Sequence, residues 1–402
     1  MLGFIPVFGM DTGQKIFRED VKSLKIYNPD NFLAPPVIRL NSQDKLNINF
    51  DILGEAHEYL RYRLIHCDAD WQPSKILESE YIGGFNEVTV DDYAYSENTY
   101  IHYVNYNIVI PDNIQILKSG NYLLQVFPET DNSSPILQVR FEVSENLISS
   151  QGNVSSKTDK GINTNYQQIY LELDISNLPG VNPFQDLIVF ISQNNNPETR
   201  EIILNPSKVQ GNKIVYDHIP SLIFNAGNEY RRFETVRTDY PGMNVDSVKF
   251  IDRYWHAFLQ PDVSRKDKEH SFDQTQFGRF KIDEYNSSDP DLGADYVKVH
   301  FYFTPNESER LELYLDGEMT NHQYDDTNRM KYNPATGLYE NELLLKQGSY
   351  NYQYIVRNGG KNQFSSSPIE GDKYETRNQY ILNVYLRTPG SRYDRLILSS
   401  VL

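Results

Sequence analysis

Short stretches in which apolar and polar residues alternate constrain the fold of this chain more than any other sequence feature. Leu46, Ile48, Phe50 and Ile52 are separated by polar residues. A period of two places all apolar side chains on one face of a β-strand. The same pattern recurs at residues 137–143, 169–175, 297–303 and 311–315. Gly, Pro and Asn separate these stretches, so the sequence predicts an all-β chain of antiparallel, immunoglobulin-like β-sandwiches.

The 402 residues are too many for one apolar core, because single cores stop growing near ~250–300 residues. Residues 146–165 and 286–295 are rich in small and polar residues, which is typical of linkers. We therefore expect three consecutive immunoglobulin-like β-sandwich domains. The predicted division is an apolar arm or export-signal remnant at 1–16, sandwiches at 17–150, 160–286 and 295–390, and a loosely held tail at 391–402.

The charge balance excludes some partners. The net charge is −17, whereas phosphate binding requires clustered Lys and Arg, so we expect no nucleic-acid partner. An anionic lipid surface is unfavourable for the same reason, and we expect no direct lipid anchoring. The acidic balance is compatible with attraction to a basic protein partner. The single cysteine leaves the cellular compartment open.

The chain carries no recognisable catalytic or cofactor motif. Cys67 follows His66 within a predicted strand, and neighbours on a strand point to opposite faces, so a Cys–His dyad is not expected. No zinc-binding spacing is present, and we predict neither cofactor nor metal. Calcium at one of four acidic pairs stays open, although we favour solvated turns there. These pairs are Asp68/Asp70, Asp91/Asp92, Asp289/Asp291 and Asp325/Asp326.

A predicted strand at residues 59–67 runs into a long irregular segment that is acidic and aromatic. This arrangement suggests a sheet that displays a loop, and aromatic loop residues often anchor protein interfaces. The alternative for Trp71 is that it folds back onto its own sandwich. The predicted partner-binding residues of this segment are Asp68, Asp70, Trp71, Tyr81, Phe85 and Asn86.

Arg231 and Arg232 form a second candidate binding group. They could bind a carboxylate of a partner. They could also form a local ladder of opposite charges with Glu229 and Glu234, and we favour this ladder because such pairs are common in sheets.

Four segments resemble the plug protein family of the type IX secretion system of Bacteroidetes. They are HCDADWQPS (66–74), LESEYIGGFNE (77–87), KSGNY (118–122) and AGNEYRRF (226–233), and the resemblance extends from about Val21 to Leu386. It implies a periplasmic, non-enzymatic protein that is monomeric within its complex. It also implies that the protein docks on a large outer-membrane translocon barrel and closes its pore from the periplasmic side.

The third predicted sandwich also resembles early-set sandwiches of the glycogen-binding type. The resemblance lies in residues 313–318, 330–333, 337–340 and 345–352. Those modules stack sugar rings on exposed tryptophans, whereas residues 320–323 contain none. A carbohydrate-binding or polysaccharide-processing accessory protein of the envelope is therefore the alternative function. It predicts a groove lined by coplanar exposed aromatics, while an enzyme would need two carboxylates about 5–10 Å apart.

Overall fold

The first third of the chain forms a β-sandwich. The computed structural model describes residues 13–194, 196–305, 311–357 and 364–402. In chain order the first sandwich contains β1 (Lys15–Ile16), β2 (Val21–Tyr27), β3 (Val37–Arg39), β4 (Leu46–Leu53), β5 (Leu60–Cys67), α1 (Glu78–Tyr81), β6 (Ile82–Gly83), β7 (Val88–Thr89), β8 (Tyr93–Tyr95), β9 (Tyr103–Ile110), β10 (Gln115–Ile116), β11 (Gly120–Pro128) and β12 (Leu137–Ser144).

Two main sheets of this first sandwich enclose one apolar core. One has the order β1-β12-β11-β5-β7, with β3 beside β12, and the other has the order β2-β4-β9-β8. The alternating residues Leu46, Ile48 and Phe50 are buried in the core between them. Burial of one face of each strand therefore accounts for the period of two in the sequence. The short strands β6 and β10 pair with each other outside the main sheets.

The next part of the chain begins a middle sandwich. Its elements are β13 (Ser149–Ser155), β14 (Lys157–Thr158), β15 (Gly161–Ile162), β16 (Tyr166–Asp174), β17 (Leu187–Gln193), a 3-10 turn (Pro197–Thr199), β18 (Glu201–Ile203), β19 (Lys208–Gln210), β20 (Lys213–Tyr216), a 3-10 turn (Pro220–Leu222) and β21 (Ile223–Asn225). One sheet has the order β13-β16-β20-β19, with β21 beside β16.

A further sandwich follows. Its elements are β22 (Arg231–Glu234), β23 (Val245–Ile251), β24 (Tyr254–Leu259), β25 (Asp262–Val263), β26 (Phe280–Ile282), α2 (Pro290–Gly293), β27 (Tyr296–Thr304), β28 (Leu313–Asp316), a 3-10 turn (Glu318–Thr320), β29 (Lys331–Asn333), β30 (Leu338–Lys346), β31 (Gly348–Arg357), β32 (Phe364–Ser365) and α3 (Ser367–Glu370). One sheet has the order β23-β24-β27-β30-β29, with β25 beside β27. The facing strands β22, β26, β28 and β32 all pair with β31.

The chain then returns to the middle sandwich with β33 (Tyr380–Leu386) and β34 (Arg395–Val401). β33 pairs with β17 along its whole length, so the second sheet of the middle sandwich has the order β18-β17-β33-β34. Leu382, Val384 and Ile397 are buried in the same core as Ile169 and Leu173. The third sandwich is thus inserted between two parts of the middle one.

The all-β, multi-sandwich prediction is confirmed, but the predicted domain boundaries after residue 150 are wrong. Strands within the predicted second sandwich (160–286), such as β23 and β24, belong to the third core. Residues 380–386, predicted for the third sandwich (295–390), and the predicted tail at 391–402 complete the middle one. An alternating strand fits either core equally well, so periodicity cannot show which distant strand it pairs with. The N-terminal arm at 1–16 lies largely outside the described residues, and Lys15 and Ile16 pair with β12.

Both predicted linkers have specific structure. Within residues 146–165, β13 forms an edge strand along β16. Its exposed, polar side chains leave backbone hydrogen bonding as its main attachment, which sequence periodicity does not reveal. Within residues 286–295, α2 lies against the first sandwich, where Lys25 Nζ donates to Asp291 Oδ1 at 2.8 Å. Tyr103 OH hydrogen-bonds to the carbonyl of Ala294 at 2.8 Å.

A buried polar network joins the first and third sandwiches beside α2. Lys346 Nζ donates to Asp51 Oδ2 at 2.7 Å, and the side chains are 1% and 0% exposed. Asp51 also accepts from Tyr296 OH at 2.6 Å and from Asn105 Nδ2 at 2.7 Å. Lys346 Nζ lies 4.0 Å from the centroid of the Tyr103 ring. Every partner is held by a rigid strand, so the joint fixes the relative orientation of the two sandwiches.

Replacing Ile397 with Ala tests whether the C-terminal strand belongs to the core of the middle sandwich. Ile397 is fully buried in that core on β34, so the cavity left by truncation should lower the free energy of unfolding by ~2–5 kcal/mol. Chemical denaturation measures this loss. Val401→Ala, on the same strand but exposed, is the matched control and should change stability little. Equal, small effects of both variants would contradict the assignment of β34 to the core.

Candidate docking surface

Most of the predicted contact residues follow the end of β5. Asp68, Asp70 and Trp71 lie in the turn at residues 68–71, and Tyr81 lies on α1. Phe85 and Asn86 lie in the loop at residues 83–87, which we call the Phe85 loop. The structure places these segments in different environments. The turn packs against the middle sandwich, while the Phe85 loop faces solvent at its tip.

Asp68 is part of the joint between the first and middle sandwiches. Its Oδ1 accepts from the Asp394 amide at 3.0 Å, and the Ala69 amide donates to Asp394 Oδ2 at 3.0 Å. Arg387 Nη1 lies within 3.3 Å of both carboxylates. Burial raises the pKa of Asp68, and this is partly opposed by the Asp394 amide and Arg387. These contacts assign Asp68 a structural role between domains, which its position in sequence did not reveal.

Trp71 folds back onto the protein, as in the alternative considered for it. Its side chain is only 8% exposed, and the Arg140 guanidinium lies 4.5 Å from the ring centroid. It lines a cavity of about 450 Å³ together with residues of all three sandwiches. Asp70 is exposed, and its Oδ1 accepts from the Gln72 amide at 3.0 Å within the turn.

Tyr81 is buried in the core of the first sandwich. Its ring packs against His66 and Tyr122, with centroids 5.6 and 6.2 Å apart. α1 carries Tyr81 and lies just before the Phe85 loop. Tyr81 therefore anchors the base of this loop and presents no surface itself.

Phe85 is held outward by the residue that follows it. Asn86 is 5% exposed, and its Oδ1 accepts from the Leu64 amide at 2.9 Å while its Nδ2 donates to the Leu64 carbonyl at 2.8 Å. The same Nδ2 lies 2.8 Å from Glu78 Oε2. This side chain thus clamps the loop to the backbone of β5. Phe85 is 93% exposed, and the clamp limits the entropy that the loop would lose on contact with a partner.

Arg231 and Arg232 lie in the third sandwich and are engaged in ion pairs. Arg231 Nη1 is 2.6 Å from Asp262 Oδ1, and its Nε is 3.0 Å from Glu370 Oε1. Arg232 Nη1 is 2.7 Å from Asp273 Oδ1, with Glu234 at 3.5 Å. The favoured local ladder includes Glu234, but the closest partners come from distant parts of the chain.

The eight predicted contact residues do not form one surface. Phe85 and Asp70 are exposed, whereas the others are buried or half-buried in the contacts just described. An exposed aromatic group around His57 was not among the predicted contact residues. The His57 ring stacks on Tyr93, with centroids 4.7 Å apart, and its centroid lies 4.8 Å from that of Tyr59. Tyr95 OH is 3.1 Å from His57 Nδ1. The alternation of tyrosines at 93 and 95 was the available signal.

The other candidate chemistries find little support in these contacts. Burial raises the pKa of the Cys67 thiol to about 12, so it is protonated at neutral pH. In the early-set-like sandwich, Tyr332 is exposed, but it is tilted by 59° from the buried Tyr339. This pair is not the coplanar exposed platform that the carbohydrate-binding alternative predicts.

Comparison with known proteins agrees with the resemblance found in the sequence. Residues 21–145 match the family described as type 9 secretion system plug protein, first domain. A crystal structure of a hypothetical protein from Parabacteroides merdae is 36% identical. The match covers 98% of this chain and 99% of the Parabacteroides merdae chain, with a TM-score of 0.95. No curated protein matches.

The fold therefore defines a multidomain β-sandwich protein whose first sandwich carries the matched domain. The chain belongs to the type IX secretion system plug protein family, and its role is related to type IX secretion. Membership implies an envelope-associated location. Among the described residues, no helix has the length and apolar character needed to cross a membrane.

The Asn86 clamp can be tested by replacing Asn86 with Ala. The variant leaves the Leu64 amide and carbonyl without their side-chain partner, so the free energy of unfolding should fall by ~1–3 kcal/mol. Phe85→Ala should leave it almost unchanged because the ring is exposed. Denaturation curves of both variants give the comparison. A neutral Asn86→Ala would show that the loop does not depend on the clamp.

A second prediction concerns His66, which is buried beside Tyr81. Its Nε2 lies 3.0 Å from the Ser119 carbonyl and its Nδ1 lies 2.8 Å from Ser74 Oγ. Burial lowers its pKa from 6.5 to about 4, against the opposing effects of the Ser119 carbonyl and Asp394. As the pH falls, His66 therefore takes up a proton at a higher pH in the unfolded chain than in the folded protein.

The stabilisation from neutral His66 is complete above pH 6.5 and is lost as the pH falls towards 4. Its loss should amount to about 3 kcal/mol. The measurement is the free energy of unfolding of the wild type and His66→Gln at several pH values in this window. The difference between them should shrink with decreasing pH. A constant difference would contradict the assigned pKa.

Proposed function

We propose that this protein is a non-enzymatic plug that binds the periplasmic side of the large outer-membrane translocon barrel of the type IX secretion system and occludes its pore. Membership of the plug family supports this proposal. The observation that carries it is the construction of the molecule. Three sandwiches are joined by buried side-chain networks, and one loop of the first sandwich holds a fully presented aromatic ring.

A protein that blocks a pore by its bulk must keep its domains in a fixed relative orientation. The joint between the first and third sandwiches contains the buried Lys346–Asp51 pair. The joint between the first and middle sandwiches contains Asp68, Asp394 and Arg387. Removing one member of the buried Lys346–Asp51 pair would cost ~3–5 kcal/mol, so this joint resists reorientation of the first and third sandwiches. Arg387 is 38% exposed, and the second joint rests mainly on the hydrogen bonds between the Asp68 turn and Asp394. A body built in this way would block a pore mouth as a unit.

The Phe85 loop is the docking element in this proposal. Aromatic residues that insert into a partner's pocket commonly dominate the binding energy of an interface. The Asn86 clamp holds the backbone next to Phe85 against β5, which lowers the entropic cost of ordering this loop on binding. The ring would therefore enter an apolar pocket at the periplasmic rim of the barrel.

Charge supports recognition over a longer range. The net charge of −17 would steer the chain towards a basic periplasmic surface of the barrel. Steering of this kind raises the association rate and weakens with added salt. The plug would act as a monomer within its complex and leave the pore when a competing partner displaces it.

The test is recovery of the barrel from native envelope extracts with the full chain as bait, followed by mass spectrometry. The wild type should recover a very large outer-membrane barrel protein. Phe85→Ser should recover at least about tenfold less, because loss of a buried aromatic anchor costs ~2 kcal/mol or more. Tyr240→Ser, which changes an exposed ring of the third sandwich, is the matched control.

Occlusion is measured separately, as the conductance of the purified barrel in a planar bilayer with and without the plug on its periplasmic side. Block by the wild type supports the plug. If Phe85→Ser recovers and blocks the barrel as well as the wild type does, the docking face lies on another part of the surface. Failure of the wild type to recover or block the barrel would refute the proposed function.

A further inference from the structure

Two histidines and a glutamate meet on the outer face of the third sandwich, although they are far apart in sequence. His256 lies on β24, His300 on β27 and Glu342 on β30, three strands that are neighbours in one sheet. β24 and β27 are parallel, and His300 is directly opposite Glu342 in the β27–β30 pair. The residues that flank His300, Val299 and Phe301, are buried in the core. His300 therefore projects from the opposite face of the sheet.

The distances within this group are those of a compact donor set. His256 Nδ1 lies 2.8 Å from His300 Nε2, and His300 Nδ1 lies 3.6 Å from Glu342 Oε2. One donor atom from each residue can be chosen so that all three lie within 4.8 Å of one another. Zinc takes nitrogen and oxygen donors at about 2.0–2.2 Å, so tetrahedral ligands lie about 3.4 Å apart. Small side-chain rotations would bring the three donors to that spacing.

Packing fixes the orientation of one imidazole. The ring of His300 stacks on Phe258, with centroids 4.4 Å apart and planes 7° apart. A ring held in this way loses little conformational freedom when it binds a metal ion.

One cation already competes for the carboxylate. Lys298 Nζ lies 3.3 Å from Glu342 Oε1 and 4.7 Å from the centroid of the Tyr254 ring. A metal ion at the histidines would repel this ammonium group and would have to displace it from Glu342. Lys298 therefore lowers the affinity of the site without contributing a ligand.

We propose that His256, His300 and Glu342 form a binding site for one divalent transition-metal ion, with Zn²⁺ as the expected ion. Two imidazoles and one carboxylate are an established donor set for zinc, and the fourth position is left to water. The ion would link three adjacent strands, and it would stabilise the third sandwich by an amount that rises with the free ion concentration relative to the dissociation constant. The site is separate from the Phe85 loop, so it does not rest on the proposed docking function.

The test is Zn²⁺ binding by the full chain after removal of metals with a chelator. Equilibrium dialysis with elemental analysis should give one Zn²⁺ per chain, and Zn²⁺ should raise the melting temperature. His300→Ala and Glu342→Gln should each weaken binding by about tenfold or more. His102→Ala is the matched control, because His102 is an exposed histidine paired with Glu55 in the first sandwich.

Lys298→Gln should have the opposite effect on Zn²⁺ binding. This effect is not expected if the three residues have only a structural role. Removing the competing ammonium group should tighten Zn²⁺ binding several-fold and increase the Zn²⁺-dependent rise in melting temperature. Circular dichroism of each variant without metal verifies folding, and Co²⁺ substitution in the wild type should give the absorption bands of a four-coordinate site. Absence of stoichiometric Zn²⁺ binding by the wild type would overturn the proposal. Undiminished binding by His300→Ala would overturn it as well.

Discussion

The relative orientation of the first and third sandwiches depends above all on the buried ion pair between Asp51 and Lys346. Burial lowers the pKa of Lys346, and Asp51 opposes this shift. The desolvation of two charges is costly, so such a pair adds little net stability but strongly penalises arrangements in which either partner is left alone. Tyr296 and Asn105 also donate hydrogen bonds to the carboxylate of Asp51. The pair therefore acts mainly as a geometric constraint between the first and third sandwiches.

The insertion of the third sandwich into the middle one extends this constraint through the molecule. The chain leaves the middle sandwich after β21 and returns at β33, so the inserted sandwich is attached at both ends. The returning segment also supplies Asp394 and Arg387, which hold the Asp68 turn of the first sandwich. Each sandwich thus contacts the others through strands and through turns that are held by hydrogen bonds and ion pairs. The Phe85 loop projects from a body whose domains are mutually fixed.

Much of this could be predicted from local pattern. Alternation at residues 46–52 and 297–303 correctly indicated strands with an apolar face in a core. The polar face of the first strand is also buried at Asn49 and Asp51, because another sandwich covers it, which alternation does not show. The motif around Trp71 correctly identified the family. The individual contact roles could not be predicted, because Trp71 and Phe85 are both aromatic residues on irregular chain. Their exposures, 8% and 93%, depend on Arg140 and on the Asn86 clamp. Arg140 is brought to Trp71 by the pairing of β12 with β11 and of β11 with β5, strands that are distant in sequence. Asn86 adjoins Phe85 in sequence, but its clamp depends on the Leu64 backbone of β5.

The sequence by itself determined the fold class, the strand segments and the family, because period-two burial and family motifs are local properties of the chain. The tertiary structure decided which core each strand joins, and it brought His256, His300 and Glu342 together on one face. The physical reason is that strand pairing acts between backbones and carries little residue-specific information. The pairing of β17 with β33 is selected only when the apolar faces of all strands are buried together. Because of this pairing, the third sandwich is an insertion in the chain of the middle sandwich.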